Sequence, residues 1–598
     1  MFRYLLIISF KDLRIMKEYI TSHNTQASYD VSKKRFAVPH VALVKDDFKV
    51  HYMRENPNAQ YLTFVALEDG TFKFSGNSIN YSLDNGKTWV ELASDTNTPT
   101  VTSGSKIMWK GELIPTSSIG VGRFSSSGRF EAEGNVMSLL YGDEFSDVLS
   151  LEGNNYAFYG LFMYCSMLTS AERMVLPAMT LATSCYHNMF YQCGSLVMAP
   201  ELPATAMTLS AYTGMFYQCS KLATAPKLPA TELANNCYYQ MFLGCTDLTT
   251  APSLPATTLA DYCYQSMFSG CTSLTAAPSL QATELASSCY YRMFAYCTSL
   301  TTAPSLPATE LASSCYYRMF YNCSGLITVT SLPATTLASS CYREMFNGCT
   351  SLTTAPSLPS TTLATSCYRG MFGNCTSLTT APELPAANLG GKCYYGMFGG
   401  CTSLTTPPST IGNSSTTMAA SACTTMFSGC TSLTTAPSLP CTNLSGGNYC
   451  YNNMFYNCTS LRVAPELPAE TLAIYCYSYM FRGCTSLTEA PSVLPAETLT
   501  NYCYSYMFSG CTSLTTAPEL PATTLTSNCY NYMFYNCIKL NYIKAAFTTT
   551  PSSSYTYNWV YGVDSSGTFV KNSAATWTSS CGVSTYPCGW TVETYAPS

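Results

Sequence analysis

Charged residues are scarce in this sequence. Asp, Glu, Lys and Arg make up 11% of the 598 residues, and the formal net charge is -5. About a quarter is usual in a soluble domain. A chain with so few cations predicts no binding to nucleic acid or to an anionic membrane surface. Its polar residues are mainly Ser, Thr, Asn and Tyr, which suit neutral partners such as glycans or protein surfaces.

Histidine is nearly absent, with four in the whole chain. None lies at motif spacing from a serine or cysteine nucleophile, so a catalytic triad has no base. The chain also lacks a glycine-rich phosphate-binding loop and a C-x-x-C pair, the usual start of a zinc site. We therefore predict that the protein is not an enzyme and uses no cofactor and no metal.

Long apolar runs are also missing. The apolar run within residues 1–15 ends at Lys11 and Asp12, and no small-x-small cleavage site follows it. The run is too short to span a bilayer, and it departs from the pattern of a secretory signal peptide. Met16 is an alternative to Met1 as the start of the protein. The first cysteine is Cys165, so no cysteine is placed for a lipid anchor. We expect no transmembrane span, and attachment to a cell surface or a virion by other means.

A repeat of about 26 residues is what the chain has in abundance. Its best-marked feature is a cysteine that opens a C-T-S-L-like motif. These cysteines are Cys165, Cys193, Cys219, Cys245, Cys271, Cys297, Cys323, Cys349, Cys375, Cys401, Cys430, Cys458, Cys484, Cys511 and Cys537. A fixed period in this range indicates a solenoid, in which each repeat forms one rung and neighbouring rungs cover each other's core. We assign residues 151–540 to it.

One rung illustrates the expected local structure. Residues 300–304 are rich in threonine and end in proline, which predicts a short strand, and residues 306–309 predict a turn. In residues 311–322 the apolar positions recur at offsets of three and four, which indicates a helix or tight helical turn with one buried stripe. The fold class is therefore a repeat solenoid of short parallel strands and helical turns.

The pattern C-Y-x-x-M-F-x-x-C-x-S-L-T, which fills most rungs, resembles the BspA-like leucine-rich repeat surface proteins. Their repeats carry a similar F-x-x-C-x-x-L core followed by a short strand. The resemblance implies a leucine-rich-repeat-like solenoid used for adhesion or surface recognition. The A-P-x-L-P-A-T-T-L connection departs from the family. The strand-like segment 36–52 and the end of the chain look similar to proteins of Bacteroides-type bacteria and their phages.

The 31 cysteines suggest disulfides at first sight, but their pattern favours free thiols. Most occupy interior positions of the rungs, where cysteine packs as a small hydrophobe. Their number is odd, and Ala211 replaces one of them, as expected for a packing position. Cys581 and Cys588 lie off the repeat and are able to pair in an oxidising compartment.

Three further segments flank the solenoid. Residues 1–54 are interpreted as a leader or attachment segment, 55–150 as a β-sandwich, and 541–598 as a β-rich cap. Residues 82–89 match the Asp-box pattern S-x-D-x-G-x-T-W. There we expect Asp84 and Trp89 to stabilise a hairpin rather than to bind a sugar.

These observations favour a non-enzymatic protein of the cell surface that displays its solenoid to glycan or protein partners. A phage virion protein that recognises the host, as a tail fibre or decoration protein, is one alternative, and a passive rigid spacer is another. Aromatic rings offer rigid contact area at low entropic cost. The hypothetical ligand contacts are Tyr239, Tyr291, Tyr317 and Tyr395.

Overall fold

The structure is a computed structural model, and it describes residues 28–30, 35–37, 57–117, 120–577 and 580–596. The apolar run in residues 1–15 and most of the strand-like segment 36–52 lie outside the described residues. Contacts divide the chain into two units, Met1–Gln60 and Tyr61–Ser598. The first unit contains an antiparallel strand pair and one short 3-10 helix: β1 (Ser28–Asp30), β2 (Arg35–Ala37) and the helix Pro57–Ala59.

The second unit begins with two sheets. Their strands are β3 (Leu62–Ala66), β4 (Phe72–Gly76), β5 (Ile79–Ser82), β6 (Val90–Leu92), β7 (Lys106–Lys110), β8 (Gly122–Ser126), β9 (Phe130–Asn135) and β10 (Leu168–Val175), and helix α1 (Ser138–Tyr141) follows β9. The first sheet has six strands in the order β10-β9-β3-β7-β5-β6, and the second pairs β4 with β8. Phe64 of β3 contacts Phe72 and Phe124 across the two sheets, at 5.4 and 4.9 Å between ring centroids.

The Asp-box residues form the turn of the β5–β6 hairpin. Asp84 accepts hydrogen bonds from the backbone N–H groups of Lys87 (3.1 Å) and Thr88 (2.9 Å). Gly86 has a φ of +83°, which glycine adopts without strain. Trp89 packs against Tyr61, with 5.0 Å between ring centroids. The predicted stabilised hairpin is therefore present.

The first solenoid rung joins the sheet directly. Strand β10 lies within residues 151–540 and pairs in parallel with β9. In later rungs the strand is much shorter than predicted for residues 300–304. It is reduced to a parallel bridge at one residue, such as Thr302 to Thr328. A second series of bridges lies eight residues later in the rung, as from Glu310 to Thr336, and includes the two-residue pair β11 (Asn388–Leu389) and β12 (Thr417–Met418). In the rung of Thr302, Pro304 follows two residues later and lacks the N–H donor that would continue the strand.

The segment expected to be a helix or a helical turn is not helical. Residues 313–322 form overlapping four-residue turns instead. A positive φ recurs at every fourth residue, at Ser314 (54°), Arg318 (54°) and Asn322 (55°). An α-helix cannot contain left-handed residues at this frequency, so the helical prediction is wrong. The buried stripe is nevertheless present, because a period of four residues brings the same positions inward.

Backbone hydrogen bonds in these turns alternate between two partners. The N–H of Cys315 donates to the carbonyl of Ala312 in the same rung at 3.3 Å, whereas the N–H of Tyr316 donates to Cys341 of the next rung at 3.0 Å. This alternation recurs over residues 156–561. Half of the N–H groups in these turns thus close a turn within their rung, and the other half bond to the next rung. In this way backbone carbonyls supply the acceptors that buried N–H groups need.

Aromatic rings stack in columns inside the rungs. In the phenylalanine column, neighbouring centroids lie 5.3 to 5.7 Å apart from Phe162 to Phe534. A tyrosine column runs beside it, and Cys423 occupies its position between Tyr394 and Tyr451. Each fully buried ring of this size contributes about 1.5–3 kcal/mol of hydrophobic stabilisation. The predicted interior positions are confirmed as buried: Leu300, Ala303, Leu306, Leu311, Cys315, Met319, Phe320 and Cys323.

The turn pattern continues beyond the last C-T-S-L-like cysteine. The N–H of Phe534 donates to the carbonyl of Trp559 at 2.8 Å, as Phe does to Met in earlier rungs. The same part of the chain forms a parallel three-stranded sheet, with the Cys581–Cys588 disulfide between its second and third strands in sequence. Its strands are β13 (Tyr542–Ala545), β14 (Thr568–Asn572) and β15 (Thr591–Tyr595), and helix α2 is Ser553–Thr556. The domain limits at 54, 150 and 540 remain predictions.

Asparagine and glycine are matched between successive rungs at the last left-handed position. A Cβ atom on Gly348, which has a φ of +78°, would overlap Oδ1 of Asn322 in the preceding rung. The same pairing occurs at Asn374 with Gly400, Asn457 with Gly483, and Asn536 with Gly562. An asparagine here therefore requires glycine in the next rung.

We expect Gly348→Ala to lower the free energy of unfolding by more than the roughly 1–2 kcal/mol that alanine loses in a left-handed conformation. The loss beyond this amount comes from the overlap with Asn322, so adding Asn322→Gly should restore that part of the stability. Urea unfolding of both single variants and the double variant measures the coupling. Gly270→Ala is the matched control, because its φ is +75° but its Cβ would lie 3.6 Å from the nearest atom. Equal destabilisation by both alanines would contradict the overlap.

We also expect Asp84→Ala to accelerate amide hydrogen exchange at Lys87 and Thr88. Hydrogen bonds from Thr88 above all hold the pKa of Asp84 at about 2, below its usual 3.8. The stabilisation is therefore complete above about pH 4 and is lost as the pH falls through 2. Exchange measured between pH 5 and pH 2 tests this, with Asp95→Ala as a control that leaves both amides unchanged.

Candidate functional site

The outward positions of the turns form one continuous surface, which we call the turn face. Five positions of each rung contribute to it, because they lie between the buried ones. In one rung these are Ser314, Tyr317, Arg318, Tyr321 and Asn322, all half-buried. Since their backbone groups serve the hydrogen-bond network, these side chains are available for contacts with a partner.

The four tyrosines predicted as contacts all lie on the turn face at the same rung position, and all are half-buried. The structure brings two of them together. Tyr291 and Tyr317 meet edge to face, with 4.9 Å between ring centroids. Tyr239 is separated from this pair by the rung that carries Gln265. Tyr395 is separated from it by two rungs that carry arginines.

Arginines surround the Tyr291–Tyr317 pair. The guanidinium groups of Arg318 and Arg343 lie 5.3 and 4.8 Å from the Tyr317 ring centroid, within cation–π range. Glu344 binds both arginines, at 2.6 and 3.3 Å. One carboxylate thus offsets one of the two positive charges, and its ion pairs hold both arginines against the tyrosine. The cluster presents an aromatic surface that these contacts restrain.

Sequence reasoning missed a larger group of tyrosines near the end of the solenoid. There, rings of successive rungs stack face to face in two columns on the turn face. The first column is Tyr449, Tyr475 and Tyr502, at 4.7 and 4.4 Å between centroids, and the second is Tyr479, Tyr506 and Tyr532, at 4.5 and 4.4 Å. The available signal was the alternation Y-C-Y-S-Y in residues 475–479 and 502–506.

A pocket of about 310 Å³ opens beside the second column. Tyr506, Tyr532 and Tyr535 line it together with Arg482, and Gly483 and Gly510 are among the remaining lining residues. This volume lies at the lower end of the range for small-ligand sites. We call it the tyrosine pocket.

The buried titratable groups are poorly suited to catalysis. Burial raises the pKa of Cys165 to about 11 and that of Cys185 to about 12, so both thiols are protonated at neutral pH. Burial lowers the pKa of His187 to about 4, and its ring packs against Tyr159 at 5.0 Å. No group of three metal-binding side chains is found in the part of the chain that the structure describes.

Stacked parallel rungs with a leucine, phenylalanine and cysteine core define a leucine-rich-repeat solenoid. The family model described as "BspA type Leucine rich repeat region (6 copies)" matches residues 154–275, 183–318, 279–405 and 392–541. These matches cover more than half of the sequence, so the chain belongs to the BspA-type leucine-rich-repeat family. No curated protein matches it.

Among solved structures, the chain is similar to the one described as the crystal structure of the TLR13-ssRNA13 complex. The TM-score is 0.21 and the sequence identity 13%, over 70% of this chain and 49% of that chain. The chain therefore spans about half the length of that neighbour. A TM-score this low marks only a remote likeness.

None of the helices in the described residues has the length and hydropathy of a membrane span.

The burial of the thiols predicts that the native protein does not react with a thiol reagent. Of the 31 cysteines, two form the disulfide and the other 29 are free and buried. A thiol-reactive chromogenic reagent should label almost none of them at pH 8 in buffer and nearly all in concentrated urea. Both measurements are made without a reductant, so that the disulfide stays closed and its two cysteines do not react. Rapid labelling of many thiols in the native state would contradict the packing described above.

Proposed function

We propose that this chain is a non-enzymatic recognition protein of the cell surface, which binds glycan or protein partners through the turn face. Leucine-rich-repeat domains generally mediate recognition of proteins or other ligands, and BspA-type members are typically surface or secreted proteins. Both general properties support the proposal.

The observation that carries the proposal is the tyrosine content of the turn face. The core already contains its own tyrosine column, so the outward rings are not needed to fill the interior. Tyr291 and Tyr317 pack edge to face, and the adjoining arginines restrict them further. Rings that are held in place before binding lose little entropy when a partner covers them.

The chemistry of the tyrosine side chain favours a partner that combines apolar and hydrogen-bonding groups. Glu344 offsets one of the two positive charges of Arg318 and Arg343, and it occupies hydrogen-bond donors of both. Sugar rings and protein surfaces offer apolar C–H groups together with hydroxyl or amide groups. Tyrosine contacts both kinds of group at once, because its ring is apolar and its hydroxyl is polar.

We expect the double substitution Tyr291→Ala and Tyr317→Ala to weaken binding to a glycan array or an extracellular-matrix protein panel at least about tenfold. The reason is the loss of two central aromatic contacts, the residue type that dominates binding energy at interfaces. Tyr262→Ala is the matched control, because Tyr262 is 41% exposed on the turn face and belongs to neither cluster. Circular dichroism and thermal unfolding verify the fold. Unchanged binding by the folded double variant would exclude this site.

The proposed location is tested separately by fractionation. We expect an antibody against the chain to detect it in the surface or secreted fraction of the source cells. Detection in purified virions instead would favour the alternative of a phage protein that recognises the host.

A further inference from the structure

The tyrosine pocket results from a gap in two columns of outward side chains. One column reads Tyr456, Arg482, Ser509, Tyr535 and Tyr561 in successive rungs, so one small residue interrupts a row of large ones. The neighbouring column reads Asn457, Gly483, Gly510 and Asn536, so two rungs in succession lack a side chain. The gaps coincide, and together they open a cavity of about 310 Å³.

Apart from Arg482, the walls of the pocket are aromatic or uncharged. Tyr506 and Tyr532 line it and stack at 4.4 Å between ring centroids, so the faces they turn to each other are covered. Burial above all raises the pKa of Tyr506 to about 12, and a hydrogen bond with the Tyr532 side chain adds to the shift, so its hydroxyl is protonated at neutral pH. Asn457 and Asn536 add amide groups at the two ends. Such walls suit a compact ligand with several hydroxyl groups.

Arg482 is the charged residue of the pocket, and its charge is not balanced. Its guanidinium group lies 5.5 Å from the ring centroids of both Tyr479 and Tyr506, and 5.8 Å from that of Tyr456. Within the described residues, no carboxylate forms an ion pair with Arg482. This differs from Arg318, which Glu344 binds at 2.6 Å.

A guanidinium group fixed between rings has planar, paired N–H donors, which match the two oxygens of a carboxylate. Because no carboxylate within the described residues occupies these donors, they are available to a carboxylate of the ligand. The ligand class therefore combines a carboxylate with a compact, hydroxyl-rich ring.

We propose that the tyrosine pocket binds an acidic saccharide, in which Arg482 holds the carboxylate and the tyrosine edges and asparagines contact the sugar ring. This inference rests on the proposed recognition function and names the ligand class of a second site on the turn face. Uronic acids and sialic acids share this chemistry.

The experiment is calorimetric titration of the full chain with three saccharide probes and one short peptide that ends in a free carboxylate. We expect tri-galacturonic acid, 3'-sialyllactose or both to bind, and the neutral trisaccharide cellotriose to bind at least about tenfold more weakly, because it lacks the charged acceptor. The two acidic probes distinguish a uronic acid from a sialic acid as the source of the carboxylate.

Two substitutions place the binding in the pocket. Arg482→Gln removes the charge and should weaken binding of the acidic probe about 10- to 100-fold. Ser509→Tyr should abolish it by filling the gap, and the fold has room for it because Tyr535 holds the same position in the next rung. Arg462→Gln is the matched control, since Arg462 is exposed outside the pocket, and it should leave binding unchanged.

The result that would overturn the proposal is equal affinity for cellotriose and both acidic probes, or no heat of binding for either acid at millimolar concentration. Tighter binding of a short peptide through its free carboxylate would also overturn it, in favour of a protein partner. Unchanged affinity in folded Ser509→Tyr would remove the site from this pocket. None of these results affects the proposed function, which is tested at Tyr291 and Tyr317 with different ligands.

Discussion

The hydrogen bond from every second turn N–H to the next rung is the interaction on which this structure depends. It fixes the spacing of the rungs, and the turn closed by the intervening N–H fixes which side chains face inward. A rung that broke this alternation would leave buried N–H groups without acceptors, each at a loss of about 1–3 kcal/mol. The ladder is made by backbone groups, so it tolerates Ala at position 211 and Cys at position 423, where other rungs have Cys and Tyr.

Stacking turns each position of the repeat into a column, and the columns determine the surface. Side chains that are about 26 residues apart in sequence become nearest neighbours in space. The contact between Asn322 and Gly348, the Tyr479–Tyr506–Tyr532 stack and the gap at Ser509 all arise in this way. A change at one position therefore acts mainly on the same position in the rungs before and after it. Stability of such arrays is dominated by these nearest-neighbour interfaces.

Much of the fold was predictable from the sequence, because the interior positions repeat so regularly. Leu300, Phe320 and Cys323 are buried as expected, and the repeat period gave the solenoid. The prediction of a helix was wrong because the buried pairs Cys315–Tyr316 and Met319–Phe320 are four residues apart. Over one turn this spacing is close to the 3.6 residues per turn of an α-helix. Serine, glycine and asparagine recur at many of the positions with positive φ and were a signal for turns, but tyrosine, glutamine and arginine occupy others, as at Tyr506 and Arg318. The Tyr291–Tyr317 contact followed from the repeat, but the tyrosine pocket requires knowing which columns share a face.

The two tyrosine clusters differ in electrostatics although the same backbone carries them. At Tyr317, two arginines share one glutamate, so a protein carboxylate occupies part of their hydrogen-bond donors. At Tyr506, Arg482 is not paired with a carboxylate in the described residues. Because the backbone supplies the ladder and the inward columns supply the core, outward residues change without loss of either, and even tyrosine occupies positions with positive φ, as at Tyr506. A solenoid of this kind therefore presents, on one face, aromatic clusters whose arginines differ in their ion pairing. The difference between the two clusters also explains why the overall content of charged residues, 11%, says little about the ligands of individual sites.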